Sequence, residues 1–207
     1  LDGIHLDYVR YPGSDPAYSL GSISQFARSV SGDNFGRQGL SMEESLDISR
    51  KSQQKWNQFR RDKVTQLVSK IHAMVRQSDP KMILSAAVVA DSKRAYGSLF
   101  QDWEKWLKAG ILDVVCPMSY TPQSTVFKDR IQMAKKTSSQ AQVWAGIGAY
   151  KLDGLGIIEQ IKISRSLGTH GFVVFSYNTL IASTKSRRSL WEPLVGFLKS
   201  PSTKPLI

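Results

Sequence analysis

Residues 1–12 carry the sequence LDGIHLDYVRYP, which decides the predicted fold because a short apolar strand is followed directly by polar and aromatic side chains. Side chains alternate between the two faces of a strand, so Ile4 and Leu6 share one face while His5 and Asp7 share the other. The apolar pair is suited to packing against helices. The opposite face is therefore expected to present His5 and Asp7 to a site at the strand end.

The rest of the chain repeats one unit, a buried strand followed by a helix. Strands are predicted over residues 3–9, 82–90, 112–118, 143–149 and 171–177, and helices over residues 41–77, 100–109, 126–137, 155–167 and 190–198. Strands that each lead into a helix pair in parallel through right-handed crossovers. No glycine-rich phosphate loop follows any strand, and polar or aromatic residues gather at every strand end, as in a TIM barrel. The predicted fold class is α/β, a (β/α)8 TIM barrel present as about its last five β/α units.

The same pattern predicts the domain organisation. Residues 1–199 are expected to form one partial TIM-barrel domain, and residues 200–207 a loose C-terminal tail. The polar stretch over residues 13–39 is rich in Gly, Ser and Asp and is typical of a long loop. Ser41, followed three residues later by Glu44, predicts a capping box at the start of the first long helix.

Charge and composition exclude several classes of function. The 207 residues carry a formal net charge of +11, but the Lys and Arg residues are scattered and no nucleic-acid-binding motif organises them. Nucleic acid is therefore not the expected partner. A solvated basic exterior is favoured, with attraction to an anionic polymer as the alternative. No run of about 18 apolar residues indicates a membrane span.

Metal, thiol and cofactor chemistry is not indicated either. The single cysteine, Cys116, lies in an apolar run and is predicted to be buried in the core, which excludes a disulfide within the chain. His72 and His170 have no metal partner at useful spacing. No metal and no cofactor are therefore expected. A separate prediction concerns packing: Trp144 lies early in its strand and is expected to fill the core.

Two carboxylates at strand ends are candidates for chemistry. Asp7 ends the first strand, where it could act as a nucleophile or a base, and the alternative is a structural ion pair with Arg10. Asp91 closes the strand over residues 82–90 and shares its parity with Ser85, so its carboxylate is expected at the same rim. The alternative for Asp91 is a helix N-cap.

The opening segment resembles the signature of the glycosyl hydrolase-like ten family, found in bacterial lipoproteins and cell-wall glycan hydrolases. Further resemblances follow in chain order, at residues 56–62, 84–91, 102–107, 113–120, 145–150 and 175–177. They imply a TIM barrel of which this chain holds strands four to eight, and an extracytoplasmic location (secreted, periplasmic or lipid-anchored). One departure matters: many members carry two consecutive acids after the histidine, and here the second position is Tyr8.

The resemblance implies a glycoside hydrolase that acts on a polysaccharide, for which bacterial cell-wall glycan is a candidate. Cleavage generally needs two carboxyl groups, and Asp7 with Asp91 is the predicted pair, unless the second acid lies outside this chain. The side chains predicted to bind the substrate lie at or beside strand ends and offer aromatic faces or polar groups: His5, Tyr8, Arg10, Tyr120, Tyr150 and Tyr177. Two alternatives stay open, a glycan-binding barrel without catalysis and a different barrel enzyme that handles anionic or phosphorylated substrates.

Overall fold

The computed structural model describes residues 1–13, 19–31, 40–185 and 190–200. Within these residues five strands alternate with helices along the chain. The strands are β1 (Gly3–Leu6), β2 (Ile83–Val89), β3 (Val114–Met118), β4 (Gln142–Gly148) and β5 (Gly171–Phe175). The helices are α1 (Leu20–Ser31), α2 (Met42–Lys51), α3 (Gln53–Ser78), α4 (Ser92–Ser98), α5 (Trp103–Lys108), α6 (Ser124–Thr137), α7 (Gly154–Ser166), α8 (Tyr177–Lys185) and α9 (Trp191–Lys199), with a 3₁₀ helix at Ala149–Lys151.

The five strands form one parallel sheet in the order β1-β2-β3-β4-β5. Each strand pairs with its neighbour in sequence, and each connection contains at least one helix. The register sets His5 opposite Ser85, Ala87 opposite Cys116, and Gly146 opposite both Met118 and Val173. The sheet curls into a half-barrel with helices packed on its convex face, which confirms the predicted partial TIM barrel.

The core lies between the convex face of the sheet and the helices. The alternate residues Leu84, Ala86 and Val88 of β2 are fully buried there. Ala145 and Ile147 of β4 are also fully buried, further along the sheet. Burying one such aliphatic side chain contributes about 1.5–3 kcal/mol for Val, Leu or Ile. Alternation along the strands therefore fixes which side chains are left for the concave face.

The segment predicted as a long loop, residues 13–39, is corrected by the structure, because α1 lies within it. Ile23, Phe26 and Ala27 are buried and recur at the three- and four-residue spacing of a helix face. Phe26 packs on Trp56 with ring centroids 5.0 Å apart. The apolar face of α1 is short and interrupted by polar residues, so the sequence pattern does not indicate a helix there. The rest of the predicted loop, residues 14–18 and 32–39, lies outside the described residues.

Several helix boundaries can be compared with those predicted from the sequence. The capping box at Ser41 and Glu44 is confirmed, and it starts α2. The single helix predicted over residues 41–77 is divided at Ser52 into α2 and α3. The helix α8 was not predicted, and it begins at Tyr177, inside the predicted last strand. Of the predicted tail, only Ser200 is described, where it ends α9.

Candidate active site

The end of β1 separates its side chains onto two faces as the sequence predicts. Ile4 and Leu6 pack against the core, whereas His5 and Asp7 are exposed on the concave face. The Asp7 carboxylate accepts a hydrogen bond from the Tyr8 backbone N–H through Oδ1 at 2.7 Å. Among the described residues it forms no ion pair, so the structural alternative of a bridge to Arg10 is not observed. One carboxylate oxygen is thus oriented by the backbone and the other is available to a ligand.

A turn after β1 carries two of the predicted binding residues. Tyr8 has a φ of 57°, in the left-handed region that costs a bulky side chain of order 1 kcal/mol or more. The turn is held by the Arg10 backbone N–H, which donates to the Tyr8 carbonyl at 2.8 Å. The Arg10 guanidinium carbon lies 4.0 Å from the centroid of the Tyr8 ring. Such backbone strain is found where the surrounding structure requires a side chain in one place, as at binding sites.

A hollow of about 210 Å³ opens on the concave face at the carboxyl ends of the strands. It is lined by residues of every strand unit, namely His5, Asp7, Tyr8, Arg10, Ala87, Cys116, Met118, Tyr120, Gly146, Val173 and Phe175. Ala87 and Gly146 leave space in its floor. The hollow is smaller than the roughly 300–1,000 Å³ typical of drug-sized ligand sites, so a polymeric ligand would extend beyond it across the rim.

Three aromatic side chains cluster at one side of this hollow. The rings of Tyr120 and Phe175 are stacked, with centroids 5.6 Å apart and planes inclined by 11°. Tyr150 meets Tyr120 edge-on at 5.9 Å and Phe175 at 6.4 Å. About half of the surface of Tyr150 and Phe175 is exposed. The cluster therefore offers apolar faces next to polar groups, which suits the C–H faces and hydroxyls of a sugar ring.

A glycine makes the approach of these rings possible. A Cβ at Gly148 would lie 2.9 Å from the Cβ of Tyr120, closer than side chains pack. Gly146 has the same role against the backbone of β3, because a Cβ there would lie 2.7 Å from the Pro117 carbonyl oxygen. The two glycines of β4 thus position both the floor of the hollow and its aromatic side.

Burial raises the pKa of two side chains in the hollow, so both stay protonated well above neutral pH. Burial raises the pKa of Tyr120 to about 12, and the negative charge of Asp7 adds to this, followed by Tyr150 and Cys116. Tyr120 is therefore a hydrogen-bond donor near Asp7. Burial also raises the pKa of Cys116 to about 11. Cys116 is buried as predicted and stays a thiol, so it is unsuited to nucleophilic catalysis.

Three predicted residues are absent from the hollow's described lining, although one of them, Tyr150, contacts the rings of Tyr120 and Phe175 beside it. Asp91 caps α4, where its carboxylate accepts the Arg94 backbone N–H at 3.0 Å, and it is absent from the hollow's described lining. Asp7 is the one carboxylate among those described lining residues. Tyr177 starts α8 and is 66% exposed, and it makes no ring contact among the described residues. Strand parity fails for Asp91 and Tyr177 because each lies where the next helix begins.

Sequence reasoning missed Phe175, and it misassigned Trp144. Phe175 shares its strand parity with Val173, so the sequence already placed it on the concave face, but it was passed over because the strand was taken to end at Tyr177. Trp144, expected in the core, is instead 37% exposed on the concave face, over Gly171. A second hollow lies beside the first on the concave face, nearer the amino ends of the strands. Its lining includes Trp144, Val173 and His5.

The described surface away from the concave face contains two larger grooves, of about 470 and 340 Å³, and the smaller of the two runs between the turn after β1 and α3. The larger groove lies on the outer side, between α4 and α5, and is lined by Lys93, Tyr96 and Lys108 among others. No group of three or more His, Cys, Asp or Glu side chains that could hold a metal ion occurs in residues that the structure describes. No described helix has both the length and the apolar character needed to cross a bilayer.

Comparison with known proteins yields one family and a structural neighbour. The profile of a family described as Glycosyl hydrolase-like 10 matches residues 1–160. The PgaB (BpsB) glycoside hydrolase domain from Bordetella bronchiseptica has a similar fold, with a TM-score of 0.65 and 13% sequence identity. The alignment covers 88% of this chain and 54% of that chain, so this chain spans about half of its neighbour. A search of curated sequences gave no match.

Proposed function

Because this chain belongs to the glycosyl hydrolase-like 10 family, we propose that it acts on a polysaccharide as a glycoside hydrolase, with Asp7 at the reacting centre. The single observation that carries the proposal is the position of Asp7, which shares a hollow at the carboxyl ends of the strands with the ring of Tyr120. In TIM barrels this end of the sheet is where catalytic residues gather.

The contacts of Asp7 support a direct role in bond cleavage. Its Oδ1 is held by the Tyr8 N–H, so the carboxylate has a defined orientation before any ligand binds. It shares the hollow with the phenol of Tyr120, which keeps its proton at neutral pH and can donate a hydrogen bond. A carboxylate so placed can act as a base toward water or as a nucleophile toward the sugar carbon.

The substrate would be held by the residues around Asp7. Tyr120, Tyr150 and Phe175 would pack against the ring face of one sugar. Tyr8 and Arg10 would contact the chain where it leaves the hollow. Bacterial cell-wall glycan is the proposed polysaccharide, and the proposed location is extracytoplasmic, in keeping with the resemblance of the opening segment to cell-wall hydrolases.

A second carboxyl group is needed for ordinary glycoside cleavage. Asp91 can supply it only if the start of α4 moves toward the hollow when glycan binds, because Asp91 is absent from the hollow's described lining and one of its oxygens accepts the Arg94 N–H. The same observation favours a second candidate function, a barrel that binds glycan without cleaving it. The two functions differ in one measurable respect, the release of new reducing ends.

The test compares the release of reducing ends from polysaccharide and from peptidoglycan glycan strands by the wild type and three matched variants. Asp7→Asn is expected to abolish release while glycan binding persists. Asp129→Asn, an exposed acid on α6, is the control for the lost charge and is expected to be active. Asp91→Asn keeps a good N-cap, so a loss of activity there would identify the second acid rather than a damaged fold. Turnover by Asp7→Asn would remove Asp7 from the mechanism, and wild-type binding without products would favour the binding function.

A further inference from the structure

His5 and Ser85 form a hydrogen-bonded pair on the concave face that the proposed chemistry has not used. They are register partners on β1 and β2, and the His5 Nδ1 lies 2.8 Å from the Ser85 Oγ. His5 borders both hollows of the concave face, beside Asp7 in one and beside Trp144 in the other. The pair therefore lies where a bound ligand would meet the sheet.

Counting protons in this pair assigns the tautomer of the imidazole. The Ser85 Oγ also lies 3.3 Å from the Ile4 backbone carbonyl, to which it can only donate. A hydroxyl has one hydrogen, and a carbonyl oxygen has none to give. Both contacts are satisfied together only when Ser85 donates to Ile4 and accepts from His5. Nδ1 of His5 then carries the proton, and Nε2 carries a lone pair.

From this geometry we propose that His5 is a positioning residue, clamped by Ser85 as the Nδ1–H tautomer, whose Nε2 accepts a hydrogen bond from a hydroxyl of a neutral sugar. Nε2 has no hydrogen-bond partner among the described residues. Together with the Asp7 carboxylate it makes this part of the hollow an acceptor surface, which attracts hydroxyl donors and repels anionic substituents, whereas the cationic Arg10 lies on the turn after β1, over the Tyr8 ring. The ligand class rests on the proposed function, whereas the tautomer does not.

The tautomer can be read directly by nitrogen-15 NMR of protein labelled in its imidazoles, at about pH 8, where histidine side chains are ordinarily neutral. His170 supplies an internal reference of opposite kind, because its Nδ1 accepts the Val143 backbone N–H at 3.2 Å and so cannot carry the proton. His5→Gln assigns the His5 signals among the three histidines. His5 is expected as Nδ1–H and His170 as Nε2–H, and Ser85→Ala is expected to shift His5 toward Nε2–H. A wild-type His5 protonated on Nε2, or one unchanged by Ser85→Ala, overturns the clamp.

The acceptor role is tested by calorimetric binding of cellopentaose and chitopentaose, with tetragalacturonate as the acidic counterpart. Loss of one neutral hydrogen bond in His5→Phe is expected to weaken neutral-sugar binding about 2- to 10-fold, and His5→Gln, whose amide oxygen can accept, should recover part of this. Tighter binding of the uronate than of the neutral sugars overturns the acceptor surface. Unchanged neutral-sugar affinity in His5→Phe overturns this inference but leaves the proposed function standing. A wild type that binds no glycan overturns the acceptor role and the proposed function together, and the NMR result still decides the clamp.

Discussion

Replacing Gly148 with Ala adds one methyl group at the point where β4 supports the aromatic cluster. The new Cβ would lie 2.9, 3.1 and 3.2 Å from the Cβ, Cγ and Cδ1 atoms of Tyr120, where ordinary contact begins at 3.4 Å. The Tyr120 ring must therefore move by about 0.5 Å, although it is already stacked on Phe175. The backbone of Gly148 does not contribute to the cost, because its φ of −89° is open to alanine.

The expected result of Gly148→Ala is a loss of about 1–3 kcal/mol in the free energy of unfolding, the usual cost of an overpacked core. For a chain of this size each kcal/mol lowers Tm by about 2–4 °C. The displaced ring should also weaken glycan binding, by about 2- to 10-fold if one aromatic contact is lost. Thermal denaturation followed by circular dichroism, together with calorimetric titration of oligosaccharide, measures both effects.

Gly97→Ala is the matched control for this substitution. Gly97 lies in α4 with nothing within 4 Å of its added Cβ, so alanine there is expected to be neutral or to stabilise by up to about 1 kcal/mol. Equal Tm values for the two variants would refute the claim that Gly148 makes room for Tyr120. A lower Tm of Gly148→Ala with unchanged glycan affinity would support the packing contact with Tyr120 but would show that the aromatic cluster does not bind the glycan.

Three further predictions concern protonation and packing. Burial raises the pKa of Tyr120 to about 12 and that of Cys116 to about 11, so both groups hold their protons more tightly in the folded state and stability should fall as pH rises from about 9 to 12. Denaturation curves of the Tyr120→Phe, Cys116→Ala double variant should show a smaller decline, with the part due to Tyr11 retained, and equal declines for variant and wild type would contradict the burial. Iodoacetamide should leave Cys116 unmodified in the folded protein at neutral pH and modify it after denaturation, and rapid labelling of the native state would show a thiolate. Arg76 donates to both oxygens of Asp113 at 2.5 and 2.6 Å, and Arg76→Met should lower the free energy of unfolding by about 1–3 kcal/mol in urea titration, whereas an unchanged midpoint would show that this pair contributes nothing.

The fold was predictable because alternation and helix spacing act over many residues at once. In β1 the alternation correctly separated Ile4 and Leu6 from His5 and Asp7. The convex face of the half-barrel buries alternate residues of β2 and β4, and alternate residues of β1 and β5 pack against the same core. A short helix such as α1 escapes this reasoning, because its apolar face consists of few residues within a polar segment.

The site was predicted least well where a helix begins directly after a strand. Phe175 is the last residue of β5, and the chain turns into α8 two residues later, so Tyr177 was placed on the wrong element. Asp91 takes the N-cap position that was the alternative in the sequence, because its carboxylate accepts a backbone N–H of the next helix. Strand ends depend on local hydrogen bonds that one residue can change, and sequence patterns locate them less well than they locate strand centres.

The most direct test of the central claim is a crystal structure of the Asp7→Asn protein with a bound oligosaccharide. The account predicts a sugar ring packed against Tyr120 and Phe175, with a glycosidic oxygen or sugar carbon in contact with the side chain at position 7. An oligosaccharide bound only in the outer groove between α4 and α5, with the concave hollow empty, would contradict it.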